Sequence, residues 1–261
     1  MKRQPLDSPP DLTSAVLASV PPALLDGHLQ RVAIYPFFTL ALGQRAGLAM
    51  TLVGGSSVAD QPEREVRHCG AVHERPLREL LAWTASDHPL ERSIGVAALN
   101  ASLPTDGLAL HDGNAIELAV RLGAGKDVVV VGHFPRLEAL RASARSLAIL
   151  EKKPLPGDLP AEAAPDVIPG AGLVAITGVT FLNDTLSGLL ALKRPGATFI
   201  VLGPTVPLSP VLFEHGVDVI GGSVVEDVAR VEGMLAHGGM PRRGHGLRHV
   251  LVAQDQRLLG P

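Results

Sequence analysis

The pattern of apolar and polar residues divides the chain into two stretches of different texture. In the first hundred residues it predicts a helix over residues 12–20, two neighbouring β-strands over residues 31–38 and 47–53, and helices around residues 77–83 and 94–101. Strands followed by helices are typical of an α+β unit. We therefore expect the chain to begin with a small mixed domain.

From residue 126 onwards short β-branched strands alternate with helices. Residues 126–131 (KDVVVV) end in four consecutive β-branched valines, as expected of a parallel strand that is covered on both faces. Ser223 and Glu226 fit a capping box at the start of the last helix. Alternation continues with strands at residues 146–150, 172–177, 198–202 and 217–220, and helices at residues 135–144, 183–192 and 225–236. This order predicts a doubly wound parallel sheet.

The predicted fold is α/β, with a Rossmann-like doubly wound parallel sheet preceded by a smaller α+β domain. We place the α+β domain at residues 11–105, the Rossmann-like domain at residues 106–240 and a C-terminal tail at residues 241–261. The tail contains RRGHGLRH, whose two glycines disfavour a helix that would bring His245 and His249 onto one face. We interpret it as a solvated basic tail.

Composition and charge exclude several classes of protein. The 261 residues are 46% hydrophobic and 19% charged, which is enough to build a folded core. The 23 Lys and Arg residues against 26 Asp and Glu give a net charge of −3, so nucleic acid is not an expected partner. The N-terminus lacks a secretory signal and no segment is apolar enough to span a membrane, so we expect no membrane partner. A single cysteine, Cys69, fits a cytoplasmic location.

Known catalytic motifs are absent from the sequence. There is no H-E-x-x-H, no Walker A loop and no G-x-S-x-G elbow, so metalloprotease, P-loop kinase and esterase functions lack their signatures. His68 and His73 lie near Cys69, yet without a second thiol they do not predict a closed zinc centre. Whether the protein is an enzyme, and of which reaction class, is left open.

Candidate ligand-binding residues lie where the parallel strands end, because the crevice of a doubly wound sheet lies beyond the carboxyl ends of its strands. Gly132 and His133 follow the first strand as GHFP, where a dinucleotide site would show G-x-G-x-x-G. Gly132 allows a ligand to approach the backbone. His133 could bind a metal, donate to an anion or move a proton, or be a solvated turn residue.

Glu151 ends the second strand about 20 residues later, where Rossmann-type domains place an acid on a ribose hydroxyl. Lys152 and Lys153 follow it directly and weigh against that role, and an acid in this place can also be the first solvated residue after a strand. A nucleoside-bearing ligand and a purely structural carboxylate are therefore both compatible with the sequence.

Small polar residues separate a buried strand from an apolar helix in ITGVTFLNDTLSGLL, residues 176–190. Hydroxyl and amide groups there can cap the helix, and its free N–H groups attract a phosphate, carboxylate or sulfonate. We expect an anion-binding segment formed by Thr177, Gly178, Thr180, Asn183 and Thr185. After the next strand, the proline-rich loop LGPTVPLSP forms a rigid wall with Gly203, Pro204 and Thr205.

Four segments of the second half together resemble one family: VVVVGHFP, LEKKP, ITGVTFLNDTL and VLGPTVPLSPVLFEHGVDVIGG. With the weaker stretches AGLAMTL and IGVAALNA, the chain resembles the "putative heavy-metal chelation" family of prokaryotic proteins over about residues 11–237. The resemblance implies an enolase-N-terminal-like first domain and a site in the cleft between domains. That site would be lined by Gly132, His133, Phe134, Glu151, Thr177, Thr180, Asn183, Thr185, Gly203, Pro204 and Thr205, with Asn100 reaching in from the first domain.

Three functions are compatible with these residues. The first is a small-molecule site, in an enzyme or a binding protein, for an anionic or metal-chelating metabolite, with His133, Glu151 and Asn183 as catalytic candidates. The second is direct binding of a heavy metal by His133 and Glu151, and the third is a nucleotide- or S-adenosylmethionine-dependent transferase. Transition metals prefer several N or S ligands, which favours the first function. The candidate cofactors are a divalent transition metal and a chelated metal complex. The candidate assembly is a homodimer.

Overall fold

The computed structural model describes residues 11–53 and 65–260, which form a mixed α/β fold with two sheets. Residues 1–10, residues 54–64 of the predicted α+β domain and Pro261 of the predicted tail lie outside the described residues. The small antiparallel sheet contains β1 (Arg31–Ile34), β2 (Phe38–Leu42) and β3 (Ala46–Met50). The large sheet contains β4 (His111–Asp112), β5 (Asp127–Val131), β6 (Ser146–Glu151), β7 (Leu159–Pro160), β8 (Leu173–Thr177), β9 (Thr198–Leu202), β10 (Val219–Val225) and β11 (Leu247–Ala253).

Helices connect and cover the strands of both sheets. They are α1 (Leu12–Ala18), α2 (Leu77–Ala82), α3 (Pro89–Ser102), α4 (Ala115–Gly123), α5 (Glu138–Ser143), α6 (Ala164–Val167), α7 (Val179–Leu182), α8 (Leu186–Leu190), α9 (Val211–Glu214) and α10 (Val228–Ala236). Across the described ranges, none of the helices has the length and apolar character that crossing a membrane requires.

The large sheet confirms the predicted doubly wound architecture. Its order is β4-β11-β10-β9-β8-β5-β6-β7, and the six strands from β10 to β7 are parallel. Numbered along the chain from β5, these six strands follow the order 3-2-1-4-5-6 of Rossmann folds. The chain therefore continues from β5 to one side of the sheet, and from β8 to the other side. This reversal places the topological switch point between β5 and β8.

The small sheet is held against the rest of the molecule on both faces. On one face α3 lies directly on β3, and a Cβ atom added at Gly47 would come within 2.2 Å of the Ala97 carbonyl oxygen. On the other face Phe38 and Leu40 pack with Val231 of α10. Because the apolar contacts continue from α3 into the large sheet, both sheets share one core.

The buried carboxylate of Glu91 binds the chain at Arg67. Glu91, in the first turn of α3, is 3% exposed and accepts hydrogen bonds from the Arg67 N–H (2.9 Å), Nε (2.9 Å) and Nη2 (2.8 Å). The Ser86 hydroxyl donates a fourth at 2.7 Å. Burial alone would raise the pKa of Glu91, but these hydrogen bonds outweigh it and lower the pKa from 4.5 to about 2. Arg67 also lies over the Trp83 ring, 5.1 Å from its centroid.

The first strand predicted from the sequence is in fact parts of two strands. Residues 31–38 were expected to be continuous, but the chain turns after Ile34 and β2 begins at Phe38. Pro36 lies in this turn, where its missing N–H cannot interrupt a ladder of hydrogen bonds. A helix that the sequence analysis did not identify, α4, begins after Asn114, whose side chain accepts from the Ile116 N–H at 2.8 Å.

Two helix predictions near the strand ends are also corrected. The helix expected over residues 183–192 is shorter, comprising α8 (Leu186–Leu190), and a separate short helix, α7, precedes it; the chain bends between them at Asp184, whose φ is +59°. Asp and Asn tolerate this left-handed conformation better than other side chains. The capping box at Ser223 and Glu226 is wrong: Ser223 belongs to β10, and Asp227 caps α10 by accepting from the Arg230 N–H at 3.0 Å.

The C-terminal region is part of the large sheet rather than a solvated tail. Strand β11 pairs antiparallel with all seven residues of β10, from Val219 to Val225. It also pairs with β4 through Val250 and Leu251. Leu247 and residues 250–253 are buried, so β11 contributes to the core. The basic residues that suggested a tail occupy the loop before this strand and its two half-buried positions, Arg248 and His249.

Candidate functional site

A cavity of about 660 Å³ lies beyond the carboxyl ends of β5, β6 and β8, at the topological switch point. Doubly wound sheets bind ligands at this position, and small-molecule cavities typically measure about 300–1,000 Å³. One wall comes from the chain between β6 and α6, the opposite wall from α7 and α8, and Met50 of β3 closes one side. Seven of the predicted residues line the cavity: Gly132, His133, Glu151, Thr177, Thr180, Asn183 and Thr185.

Gly132 makes the turn at the floor of the cavity. Its φ is +98°, in the region that favours glycine, and a Cβ atom there would come within 2.8 Å of Thr177 Cγ2. The ends of β5 and β8 can therefore approach each other closely only because residue 132 has no side chain. The same turn directs residue 133 towards β6.

His133 is held between two carboxylates. Its Nε2 lies 2.7 Å from Asp158 Oδ2, and its Nδ1 lies 3.4 Å from Glu151 Oε1. The Asp158 side chain is 7% exposed and also accepts from the Leu155 N–H at 2.8 Å. Because both ring nitrogens face carboxylate oxygens, the ring can donate to both only when it carries two protons. The imidazole is thus fixed in position from both sides.

The Glu151 carboxylate is also bound to the backbone around it. Oε1 accepts from the His133 N–H at 3.1 Å, and Oε2 accepts from the Lys152 N–H at 2.9 Å. The side chain remains 24% exposed towards the cavity. Each oxygen can still accept a hydrogen bond from a ligand, although the bond from the His133 N–H already uses one lone pair of Oε1 to hold the turn after β5.

The polar segment after β8 makes several of its hydrogen bonds within itself. The Thr180 hydroxyl donates to the Thr177 carbonyl at 2.6 Å, and Thr177 Oγ1 accepts from the Val179 N–H at 3.4 Å. Helices α7 and α8 have four and five residues, and no side chain caps either one. The sequence predicts that the N-terminus of a helix over residues 183–192 attracts an anion. Two helices this short and without side-chain caps give that prediction little support.

Asn183 joins this segment to the end of β6 through Lys152. In the amide orientation that satisfies its neighbours, Nδ2 donates to the Thr180 carbonyl (3.2 Å) and to Thr185 Oγ1 (2.6 Å). Oδ1 then accepts from Lys152 Nζ at 3.2 Å. The cationic side chain of Lys152 consequently lies at the mouth of the cavity. In the sequence, the position of Lys152 directly after Glu151 had argued only against ribose binding.

Asn100 and Thr205 lie outside the cavity and join the two sheets instead. Asn100 is 5% exposed, and its Nδ2 donates to the carbonyls of Leu48 (2.8 Å) and Thr205 (3.1 Å). Thr205 Oγ1 accepts from the Met50 N–H at 2.9 Å. Oδ1 of Asn100 is buried without a hydrogen-bond partner among the described residues. In this geometry Asn100 holds β3 against the loop after β9, and Met50 rather than Asn100 reaches the cavity.

The remaining predicted site residues also lie beside the cavity rather than in its lining. Phe134 packs into the apolar cluster on the far face of the large sheet. A Cβ atom at Gly178 would come within 2.5 Å of Val206 Cγ2, so Gly178 lets the loop after β9 approach β8. Gly203, with a φ of +121°, begins that loop, and Pro204 follows it. None of these four residues is part of the cavity lining.

The side chains present are a poor match for a bare transition-metal ion. The two nitrogens of His133 are on opposite edges of the ring and face different carboxylates, so one ion cannot contact both pairs. Within residues 11–53 and 65–260, no group of three or more His, Cys, Asp or Glu side chains is arranged to hold a metal. Nickel, copper and zinc favour several N or S donors, which this lining does not offer.

Four charged residues that line the cavity or support it are not among the predicted site residues: Lys152, Asp158, Glu162 and Asp184. Lys152 could have been found from its place directly after a strand end. Asp158 and Glu162 lie in a Pro- and Gly-rich stretch that looked like a surface connection, and no periodicity marks them. Their positions depend on tertiary structure.

Comparisons with known proteins agree with the fold and the sequence segments described above. Two family models, both described as "Putative heavy-metal chelation", match residues 20–103 and 114–250. An uncharacterized protein of Methanocaldococcus jannaschii is 30% identical over 159 residues, which are 58% of this chain. The chain spans 61% of the length of that relative.

Two solved structures resemble this chain over 93% of its length. A protein of unknown function of the DUF364 family from Desulfitobacterium hafniense has a TM-score of 0.78 and 28% identity, covering 93% of this chain and 98% of its own. A DUF364 protein of unknown function from Pyrococcus horikoshii has a TM-score of 0.75 and 19% identity, covering 93% and 99%, and shows the fold alone. The description of the two family models indicates metal-related binding and names no activity. Because the match over residues 114–250 spans more than half of the sequence, the chain belongs to the "Putative heavy-metal chelation" family.

Proposed function

We propose that the cavity at the switch point binds a small organic metabolite that bears an anionic group and can itself chelate a metal. The observation that carries this proposal is the Lys152 Nζ, 3.2 Å from Asn183 Oδ1, at the mouth of a cavity of about 660 Å³. A lysine ammonium with free donor capacity is a strong partner for a carboxylate or phosphate.

The size and lining of the cavity favour an organic ligand over a bare ion. Apolar side chains from the strand ends and both walls, including Val131, Leu150 and Leu189, contribute much of the surface. Small-molecule sites combine such apolar walls with a few convergent polar groups. In this proposal the metal enters as a complex with its organic ligand, and Asn183 with Lys152 binds the anionic group of that ligand.

Glu151 and His133 take defined roles in the same proposal. Glu151 accepts a hydrogen bond from the ligand at the floor of the cavity. His133, fixed by Asp158, keeps Glu151 in place, and in an enzymatic form of the function it would carry a proton between the two carboxylates. Asp158 is then a positioning residue behind the site.

A nucleoside ligand is the second candidate, favoured by one observation. Glu151 ends the second strand of a 3-2-1-4-5-6 sheet, which is where Rossmann domains bind the ribose hydroxyls. Against it, the Gly132 turn lacks the glycine-rich fingerprint that binds a pyrophosphate.

The test compares matched lysine variants of the full chain. Binding of citrate, diglycolate and iminodiacetate, each with and without Ni²⁺, is measured by calorimetry and thermal shift for the wild type, Lys152→Gln and Lys153→Gln. Lys153 is an exposed neighbour outside the cavity lining and serves as the control. We expect Lys152→Gln to lose about tenfold or more in affinity, as for a lost hydrogen bond to a charged group, and Lys153→Gln to bind like the wild type.

Other outcomes identify the competing functions. Stoichiometric Ni²⁺ without any organic ligand, lost in His133→Ala, would establish direct metal binding instead. Stabilisation by adenosine, lost in Glu151→Gln, would establish the nucleoside function. Equal affinities of the two lysine variants for every carboxylate, or no binding at millimolar concentration, would refute the proposed site.

A further inference from the structure

The ionisable side chains that line the cavity carry opposite charges, with an excess of acid. Lys152 is the one lysine or arginine among them, whereas Glu151, Glu162 and Asp184 are carboxylates. With His133 neutral, one positive and three negative groups give the lining a formal charge of −2. A ligand that is only anionic would gain from Lys152 and be repelled by the rest of the lining.

Two of the carboxylates come from opposite walls and are free to meet a ligand. Glu162 lies in the turn before α6, and Asp184 lies in the bend between α7 and α8. Among the described residues, neither side chain has a hydrogen-bond or ion-pair partner, in contrast to Glu151, which is bound to two backbone N–H groups. Both are exposed at the rim, so water screens but does not neutralise them.

This arrangement favours a ligand that carries both charges. We infer that the ligand is an amino-carboxylate, whose carboxylate binds Lys152 and Asn183 and whose ammonium group lies between Glu162 and Asp184. The inference rests on the proposed function, because it assumes that the cavity binds the ligand. Amino-carboxylates offer nitrogen and oxygen donors together, and such mixed donors bind transition metals more strongly than oxygen alone. The ligand class therefore agrees with binding of a metal as its complex.

The experiment uses ligand pairs that differ only in having amine nitrogen or ether oxygen at the same positions. Iminodiacetate and diglycolate have the same length and the same two carboxylates, but the first has a protonated nitrogen where the second has an ether oxygen. Ethylenediamine-N,N'-diacetate and 3,6-dioxaoctanedioate form a longer pair. Affinities are measured by calorimetry at neutral pH without metal, at low salt and in 1 M NaCl, for the wild type, the double variant Glu162→Gln/Asp184→Asn and the control Asp166→Asn. Asp166 is an exposed acid of α6 outside the cavity lining.

We expect the wild type and Asp166→Asn to bind the amine of each pair about tenfold more tightly than its ether, with the preference reduced in 1 M NaCl. In the double variant the preference for the amine should disappear, because the amine loses two attracting carboxylates and the dianionic ether is repelled less. Asparagine tolerates the backbone conformation of residue 184, so the bend is preserved.

The results separate this inference from the proposed function. If amine and ether bind the wild type equally, while Lys152→Gln still weakens both, the amino-carboxylate assignment is wrong and the anionic site stands. An amine preference that survives in the double variant would likewise overturn it. If neither member of either pair binds, the proposed function fails and the inference falls with it.

Discussion

Replacing Glu91 with glutamine should remove a pH dependence that this one carboxylate gives to folding. Its pKa lies at about 2 in the folded protein and at an ordinary value of 4.5 when the chain unfolds. The folded state therefore binds the proton more weakly, and the stabilisation is complete above pH 4.5 and lost as the pH falls to 2. At about 1.4 kcal/mol per pH unit, the difference corresponds to about 3 kcal/mol.

Urea unfolding followed by circular dichroism at pH 7, 4.5, 3 and 2.5 measures this effect directly. At pH 7 we expect Glu91→Gln to be less stable than the wild type by about 3 kcal/mol, because the Arg67 and Ser86 donors lose a charged acceptor. The deficit should shrink below pH 4.5 and fall to about 1 kcal/mol at pH 2.5. Glu138→Gln, on the exposed side of α5, is the matched control and should track the wild type throughout.

A deficit that stays constant from pH 7 to pH 2.5 would refute this reasoning. It would mean that glutamine disturbs packing around the Trp83 ring rather than removing a charge. Equal pH dependence of Glu91→Gln and Glu138→Gln would lead to the same conclusion.

Two further substitutions test the geometry around the cavity. Gly132→Ala should lower the free energy of unfolding by about 2 kcal/mol, because alanine is strained at positive φ and its Cβ would press on Thr177 Cγ2. Adding Thr177→Ser to this variant removes that methyl group and should recover part of the loss in urea unfolding. If nothing is recovered, the clash with Thr177 is not a cause of the destabilisation. Asn100→Ala should cost about 2 kcal/mol by leaving two buried carbonyls unpaired, with iminodiacetate affinity unchanged in calorimetry. A selective loss of affinity would instead place Asn100 in the site.

The parallel strands could be predicted because their sequence signals are local and strong. The four valines at residues 128–131 and the run FIVL at residues 199–202 are apolar throughout, as a sheet covered on both faces requires. The signal was weaker where tertiary contacts decide the structure. Strand β11 (LRHVLVA) carries two adjacent basic residues near its start and follows a glycine-rich loop, so the local sequence suggested a tail, whereas its pairing with β10 places it in the sheet.

The candidate site was partly predictable for the same reason. Gly132, His133 and Glu151 follow strand ends, and the carboxyl ends of parallel strands meet at one edge of the sheet. Asp158 belongs to a turn whose position the sequence alone does not reveal, although its side chain holds His133. Asn100 was expected in the cleft from family resemblance. The packing of α3 on β3 instead directs its amide to two carbonyls at the joint between the sheets.

The last strand has a practical consequence for anyone who shortens this chain. A version that stops near residue 240, the boundary that the sequence suggests for a tail, would lose β11 and leave the seven residues of β10 with unpaired backbone groups on one side. Strand β4 would lose its attachment as well, because it contacts the sheet through β11. Exposed apolar sheet edges recruit other chains, so such a truncation should yield insoluble aggregates, and expression tags are better placed at the amino terminus.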